Sequence, residues 1–73
     1  MITAQKKISI FANGKARQID GQRTIGSLAE ELKLHANMIL VELNGSALLP
    51  GEWPGQKLEH GDRVEFFKVV AGG

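Results

Sequence analysis

The dipeptide Asn13-Gly14 limits the possible folds of this chain more than any other feature of its sequence. Both residues tolerate the positive φ angles of a type I′ turn, which joins two antiparallel strands. Residues 7–12 alternate between the two faces of a strand. Residues 15–19 can return beside them, and Asp20-Gly21 provides the next turn. The first third of the chain is therefore predicted to be a β-hairpin.

One amphipathic helix is predicted after the hairpin. Its apolar positions fall at i, i+3, i+4 and i+7, on one helix face: Ile25, Leu28, Ala29 and Leu32. Thr24 fits the N-cap, whereas Ser27 with Glu30 fits a capping box that would start the helix later. A helix of about ten residues is marginal in water by itself. It must therefore pack on a sheet.

The second half of the sequence predicts two further strands. Residues 38–43 alternate, and Asn44-Gly45 ends that strand with a turn. Residues 46–60 contain two prolines and are expected to form an irregular, ordered loop, in which Trp53 closes one end of the core. Gly61-Asp62 then turns into a final strand over residues 63–70. The order of elements predicts an α+β fold with one helix on one face of a small sheet.

A chain of 73 residues with no linker or repeat is expected to form one domain. Residues 1–6 are expected to be a frayed extension and residues 71–73 a flexible tail. The predicted core consists of the apolar residues on the helix-facing side: Ile8, Ile10, Ile19, Ile25, Leu28, Leu32, Val41, Leu43, Val64 and Phe66.

The same alternation places a second apolar set on the opposite side of the sheet: Phe11, Leu40, Phe67 and Val69. A sheet face in contact with water is normally polar. Four large apolar side chains there are interpreted as a docking surface for a partner.

The C-terminal residues predict a tail that enters another protein's active site. The tail consists of Val70, the last residue of the predicted strand, followed by Ala71, Gly72 and Gly73, where the sequence ends. Glycine has no Cβ, so a Gly-Gly end is thin enough for a narrow channel. Gly73 would then present its free carboxylate to the partner.

Other kinds of chemistry find little support in the sequence. There is no cysteine, which fits a reducing compartment and excludes a side-chain thiol. His35 and His60 have no cysteine companions, so no metal site is expected. The Glu30-Glu31 pair fits a solvated helix face. A formal charge of +1 and short apolar runs argue against nucleic-acid and membrane partners. We expect a cytoplasmic protein that is a substrate or carrier for enzymes.

Several segments together resemble the ThiS family of sulfur carriers. They are "IFANG", "TIGSLAEEL", "VELNG", "HGDRVEF" and the terminal "GG", and they occur in the order and spacing of that family from Ile8 to Gly73. The resemblance implies a ubiquitin-like β-grasp fold, with one helix packed on a mixed sheet of four to five strands.

The resemblance also implies a reaction at Gly73. An E1-like adenylating enzyme (ThiF-like) would use MgATP to convert the Gly73 carboxylate to an acyl adenylate. A persulfide, such as that of a cysteine desulfurase, would then supply sulfur to make a thiocarboxylate. A sulfur-accepting synthase, most often a thiazole synthase (ThiG-like) of thiamin biosynthesis, would receive that sulfur. The carrier itself would hold no cofactor.

Two alternatives remain open at the level of sequence. A ubiquitin-type modifier would have the same activated Gly73 attacked by a lysine amine. Ala71 stands where ubiquitin has an arginine, which favours the sulfur carrier. An interaction module with an accidental Gly-Gly end is the second alternative. The pathway that receives the sulfur, such as thiamin, molybdopterin or amino-acid synthesis, is not specified by the sequence.

Overall fold

The computed structural model describes residues 6–69. In chain order the elements are β1 (Lys7–Ala12), β2 (Lys15–Asp20), α1 (Ile25–Glu31), β3 (Ile39–Leu43), β4 (Ser46–Leu48), a 3-10 helix (Pro50–Gly55) and β5 (Arg63–Lys68). The strands form one sheet in the order β2-β1-β5-β3-β4. β1 and β5 are parallel, and the other neighbours are antiparallel. The predicted α+β architecture, with one helix on a mixed sheet, is confirmed.

Both Asn-Gly dipeptides form tight turns between antiparallel strands. Asn13 and Asn44 have φ angles of 51° and 52°, and the glycines that follow have φ angles of 81° and 88°. These values fit a type I′ turn, in which both central residues have positive φ. The first turn joins β1 to β2 as predicted. The second joins β3 to β4, a hairpin that the sequence did not predict.

The segment from residue 46 to residue 60 is more regular than expected. It contains β4 and the 3-10 helix, where an irregular loop was predicted. β4 has only three residues, too few for an alternating pattern to stand out. The 3-10 helix contains Pro54, which on sequence grounds argues against a helix. Pro50 stands at the start of this helix, where proline is favoured.

Helix α1 begins at the first of the two possible caps. The Ser27 N–H donates to the Thr24 hydroxyl, and the Thr24 N–H donates to the Ser27 hydroxyl, each at 3.1 Å. This reciprocal pair satisfies two helix-terminal donors, as a capping box does. The later start at Ser27 is wrong.

The helix ends earlier than its apolar pattern suggested. It has seven residues and stops at Glu31, because Lys33 adopts a left-handed conformation with φ of 59°. The Leu34 N–H donates to the Ala29 carbonyl at 2.9 Å, and the Lys33 N–H donates to the Glu30 carbonyl at 3.0 Å. These two bonds are those of a Schellman motif. The motif usually has glycine where this chain has Lys33.

The core lies between α1, the 3-10 helix and one face of the sheet. Its buried members are Ile10, Ile19, Ile25, Leu28, Ala29, Val41, Trp53, Leu58 and Val64. Four predicted core residues are only partly buried and pack against this cluster: Ile8, Leu32, Leu43 and Phe66. Trp53 is confirmed as a core residue. Leu58 was missed because it lies in an irregular segment with no periodicity.

Gly26 allows α1 to pack closely on the 3-10 helix. A Cβ atom at this position would lie 3.0 Å from Pro54 Cα and 3.3 Å from the Trp53 carbonyl carbon. Both distances are shorter than ordinary van der Waals contacts to backbone atoms. Gly26 has a low helix propensity, but the absence of a Cβ atom allows the close contact between α1 and the 3-10 helix.

Candidate functional site

The C-terminal tail begins at the end of the central strand. β5 lies between β1 and β3 and ends at Lys68. The Val69 N–H donates to the Met38 carbonyl at 2.8 Å, so the backbone is held one residue beyond the strand. The predicted tail residues, Val70, Ala71, Gly72 and Gly73, lie outside the described residues. The structure thus defines where the tail starts, in the middle of the sheet.

The Asn13 side chain holds β5 at the edge that faces β1. The backbone pairing of β1 with β5 covers only Phe11 and Ala12. Beyond it, the Asn13 Oδ1 accepts a hydrogen bond from the Phe66 N–H at 2.8 Å, and the Asn13 Nδ2 donates to the Phe66 carbonyl at 3.4 Å. Asn13 therefore continues the pairing of β1 toward the tail. The sequence predicts only a turn at Asn13.

Asn44 has a matching role at the opposite end of β5. Its Oδ1 accepts a hydrogen bond from the Arg63 N–H at 2.9 Å, and its Nδ2 donates to the Asp62 carboxylate at 3.1 Å. Its backbone N–H donates to the Arg63 carbonyl at 2.7 Å. The two turn asparagines therefore bind the strand that leads to the tail at its first residue, Arg63, and at Phe66, two residues before its end.

The four residues of the predicted docking surface are all exposed. Phe11, Leu40, Phe67 and Val69 have exposed fractions of 41%, 41%, 43% and 54%. Leu40 and Phe67 are direct cross-strand partners between β3 and β5. Val69 follows two residues later and leads into the tail. These three form an apolar patch beside the start of the tail, called the tail-side patch below.

Phe11 lies apart from the tail-side patch. Its partner in the parallel β1–β5 pair is Arg63, four residues before Phe67. At about 3.3 Å per strand residue, this offset is roughly 13 Å along the sheet. The Arg63 guanidinium lies over the Phe11 ring, 5.9 Å from its centroid. Glu42 and Glu65 face each other across β3 and β5 in the intervening row. Phe11 therefore does not extend the patch continuously.

The described residues contain no group of three or more side chains that could hold a metal ion. The His60 Nδ1 accepts a hydrogen bond from the Ser9 N–H at 3.1 Å. This bond joins the segment just before β5 to the backbone of β1. His35 lines a groove at the end of the sheet, described below. No helix within residues 6–69 is both long and apolar enough to cross a bilayer.

Glu31 forms a charged cluster at the end of α1. Its carboxylate is bound by Arg23 and, at 3.0 Å, by Arg17 of β2. The hydrogen bond and charge of Arg23, together with those of Arg17, hold the pKa of Glu31 below its ordinary value of 4.5. This cluster ties the helix to an edge strand. It satisfies the charge of Glu31 within the fold.

Comparison with known proteins gives consistent results. The model of the ThiS family matches residues 10–73. The sulfur carrier protein ThiS of Thermus thermophilus is 33% identical over 64 residues, which cover 88% of this chain and 98% of that protein. The crystal structure of the thiamine biosynthesis protein ThiS from Geobacter metallireducens matches with a TM-score of 0.77 and 32% identity. That match covers 90% of this chain and 100% of the other.

Proposed function

Because this chain belongs to the ThiS family, we propose that it is a sulfur carrier whose cargo is a thiocarboxylate on Gly73. The observation that supports this proposal most is that the family match extends to residue 73. The match therefore includes the Gly72-Gly73 end as well as the folded domain. The relatives are named as a sulfur carrier and as a thiamine biosynthesis protein. We propose the same pathway for this chain.

The first step would activate the Gly73 carboxylate. A carboxylate is a poor electrophile because its charge is delocalised and it has no good leaving group. An E1-like adenylating enzyme would bind MgATP, and the Gly73 oxygen would attack the α-phosphorus with release of pyrophosphate. Cations and backbone donors of that enzyme would stabilise the developing charge. The product is an acyl adenylate with AMP as its leaving group.

The second step would replace AMP with sulfur. A persulfide, such as that of a cysteine desulfurase, attacks the Gly73 carbonyl carbon, and AMP leaves. The acyl disulfide that forms is reduced by a thiol, which breaks the S–S bond and leaves a thiocarboxylate. A sulfur-accepting synthase would then take this sulfur, for a thiazole ring in the proposed pathway. This chain has no cysteine that could compete for the activated carbonyl.

The role of the folded domain would be to present the tail. Asn13 holds Phe66, and the Met38 carbonyl holds Val69, the last described residue. The tail-side patch lies next to that point and offers apolar surface to the enzyme that receives Gly73. All catalytic groups would belong to the partner enzymes. The chain is thus a co-substrate of these enzymes.

A C-terminal extension tests this proposal directly. A His-tag added after Gly73 removes the free carboxylate from the tail. The extended protein should fail to support ATP–pyrophosphate exchange by the adenylating enzyme, while its circular dichroism spectrum stays native. Full exchange activity of the extended protein would contradict the proposal.

A further inference from the structure

A groove with a volume of about 560 Å³ lies at the end of the sheet from which the tail leaves. Its apolar lining includes Leu34, Met38, Ile39 and Phe66. Phe66 and Phe67 are consecutive strand residues, so the groove and the tail-side patch lie on opposite faces of β5. Met38 is 46% exposed and is not a member of the core. The other three residues are partly buried against the core, so the groove combines one exposed apolar side chain with three that are partly covered.

The charge around this groove has one sign. Lys33 and Lys68 contribute to its lining, and none of the lining residues is acidic. The ion pairs found within residues 6–69 involve other residues, so neither lysine is neutralised by one of them. Apolar surface with basic groups at its edge is complementary to an apolar segment that carries a carboxylate.

The backbone conformation of Lys33 is a second reason to assign a function to the basic edge of the groove. Lys33 has a φ angle of 59° at the position after the helix cap, where glycine is the usual residue. A residue with a Cβ is strained in this conformation. Glycine would thus make the helix end more stable. Lys33 lines the groove, where a lysine side chain can contribute a charge that glycine cannot.

The start of the tail indicates which partner reaches the groove. The Val69 N–H is bonded to the carbonyl of Met38, which also lines the groove. Four residues follow Val69, and they span at most about 14 Å when extended. An enzyme that holds Gly73 in its active site must therefore come close to this end of the sheet.

We propose that the groove receives a segment of the adenylating enzyme in which an apolar side chain is flanked by a carboxylate. This inference rests on the proposed function. The groove volume is within the range of pockets that hold a few side chains or a small ligand. Lys33 and Lys68 would pair with the carboxylate, and Met38 can adapt its shape to the apolar side chain. The groove would be a second contact, on the sheet face opposite the tail-side patch.

Replacement of Lys33 by glycine should affect thermal stability and binding to the adenylating enzyme in opposite directions. The Lys33→Gly protein should melt at a higher temperature than the wild type, because the strain at this position is removed. In pyrophosphate exchange with the adenylating enzyme, its KM should nevertheless rise by about three- to tenfold with kcat unchanged, since rim charges act mainly on association. Met38→Ser should also raise KM. The control Lys57→Gln removes an exposed cation that does not line the groove and should leave KM unchanged.

Three results would overturn the assignment. Unchanged KM values for Lys33→Gly and Met38→Ser, with normal exchange by the wild type, would contradict the groove contact and leave the sulfur-carrier function intact. Nuclear Overhauser contacts between Ala71 and the Met38 methyl group in the free full-length chain would show that its own tail fills the groove. Absence of exchange with the wild-type chain would contradict the proposed function itself, and the groove assignment with it.

Discussion

The two faces of the sheet differ in how far their apolar side chains are buried. On the covered face, Ile10, Val41 and Val64 have no exposed surface and pack under α1. On the open face, Leu40 and Phe67 retain about two fifths of their exposed surface, at 41% and 43%. The same strand, β5, supplies residues to both. Burial on one face stabilises the fold, and apolar side chains left on the other face remain available for a partner.

The consecutive residues Phe66 and Phe67 give the largest expected difference between the faces. Phe66 packs against the core, so Phe66→Ser should lower the free energy of unfolding by roughly 3 kcal/mol. Phe67→Ser removes an exposed ring and should change stability by about 0.5 kcal/mol. Urea denaturation of the two variants measures both values. Equal losses would show that the open face also stabilises the fold.

The converse difference is expected in partner binding. If the tail-side patch contacts the adenylating enzyme, Phe67→Ser should weaken that complex by about 2 kcal/mol, as truncation of an aromatic anchor does. Calorimetry with the purified enzyme measures the dissociation constant. Phe11→Ser serves as the matched comparison, because Phe11 is similarly exposed but lies about 13 Å along the sheet. An unaltered affinity for Phe67→Ser would remove the patch from the interface.

Two glycine-to-alanine variants test the close packing of α1 on the 3-10 helix. Gly26→Ala places a methyl group 3.0 Å from the Pro54 Cα atom, so the backbone of α1 or of the 3-10 helix must shift. We expect a loss of about 1–2 kcal/mol, although alanine favours a helix. Gly51→Ala meets nothing within 4 Å and should be neutral or slightly stabilising. Thermal unfolding of both proteins measures these changes in stability. A stabilised Gly26→Ala protein would show that close packing does not require glycine at this position.

The smallest expected effect is the pH dependence of the Glu31 cluster. Arg23 and Arg17 lower the pKa of Glu31 in the folded state. Its stabilisation is therefore present above the unfolded pKa of about 4.5 and is lost as the pH falls through the folded value. Glu31→Gln should be slightly less stable than the wild type at pH 7, and the difference should vanish in acid. A difference that persists in acid would mean that charge is not its cause.

Much of this fold follows from local patterns in the sequence. Asn13-Gly14 predicts the first hairpin because few residues tolerate its φ angles. The helix stripe predicts which face α1 buries. Its end at Glu31 could not be predicted, since Lys33 occupies a position that normally has glycine. Leu58 and β4 were missed because three-residue and irregular segments have no period to detect.

The candidate site was predictable only in part. Strand alternation predicted which side chains lie on the open face, because neighbouring strand residues point to opposite sides. It could not predict the register, and it is the register that pairs Leu40 with Phe67 and separates Phe11 from both. The bonds from Asn13 to Phe66 join residues far apart in the chain. Such contacts depend on tertiary structure and have no local signal.

The central claim is that Gly73 carries sulfur, and intact-mass measurement tests it most directly. After incubation with the adenylating enzyme, MgATP and a persulfide donor, exchange of oxygen for sulfur should add about 16 Da, the same gain as methionine oxidation. Iodoacetamide distinguishes the two, because it alkylates a thiocarboxylate and not a sulfoxide. Tandem spectra should place the alkylated group on Gly73. Lysine-linked conjugates to other proteins, with no alkylatable Gly73, would contradict the sulfur carrier and support a ubiquitin-type modifier.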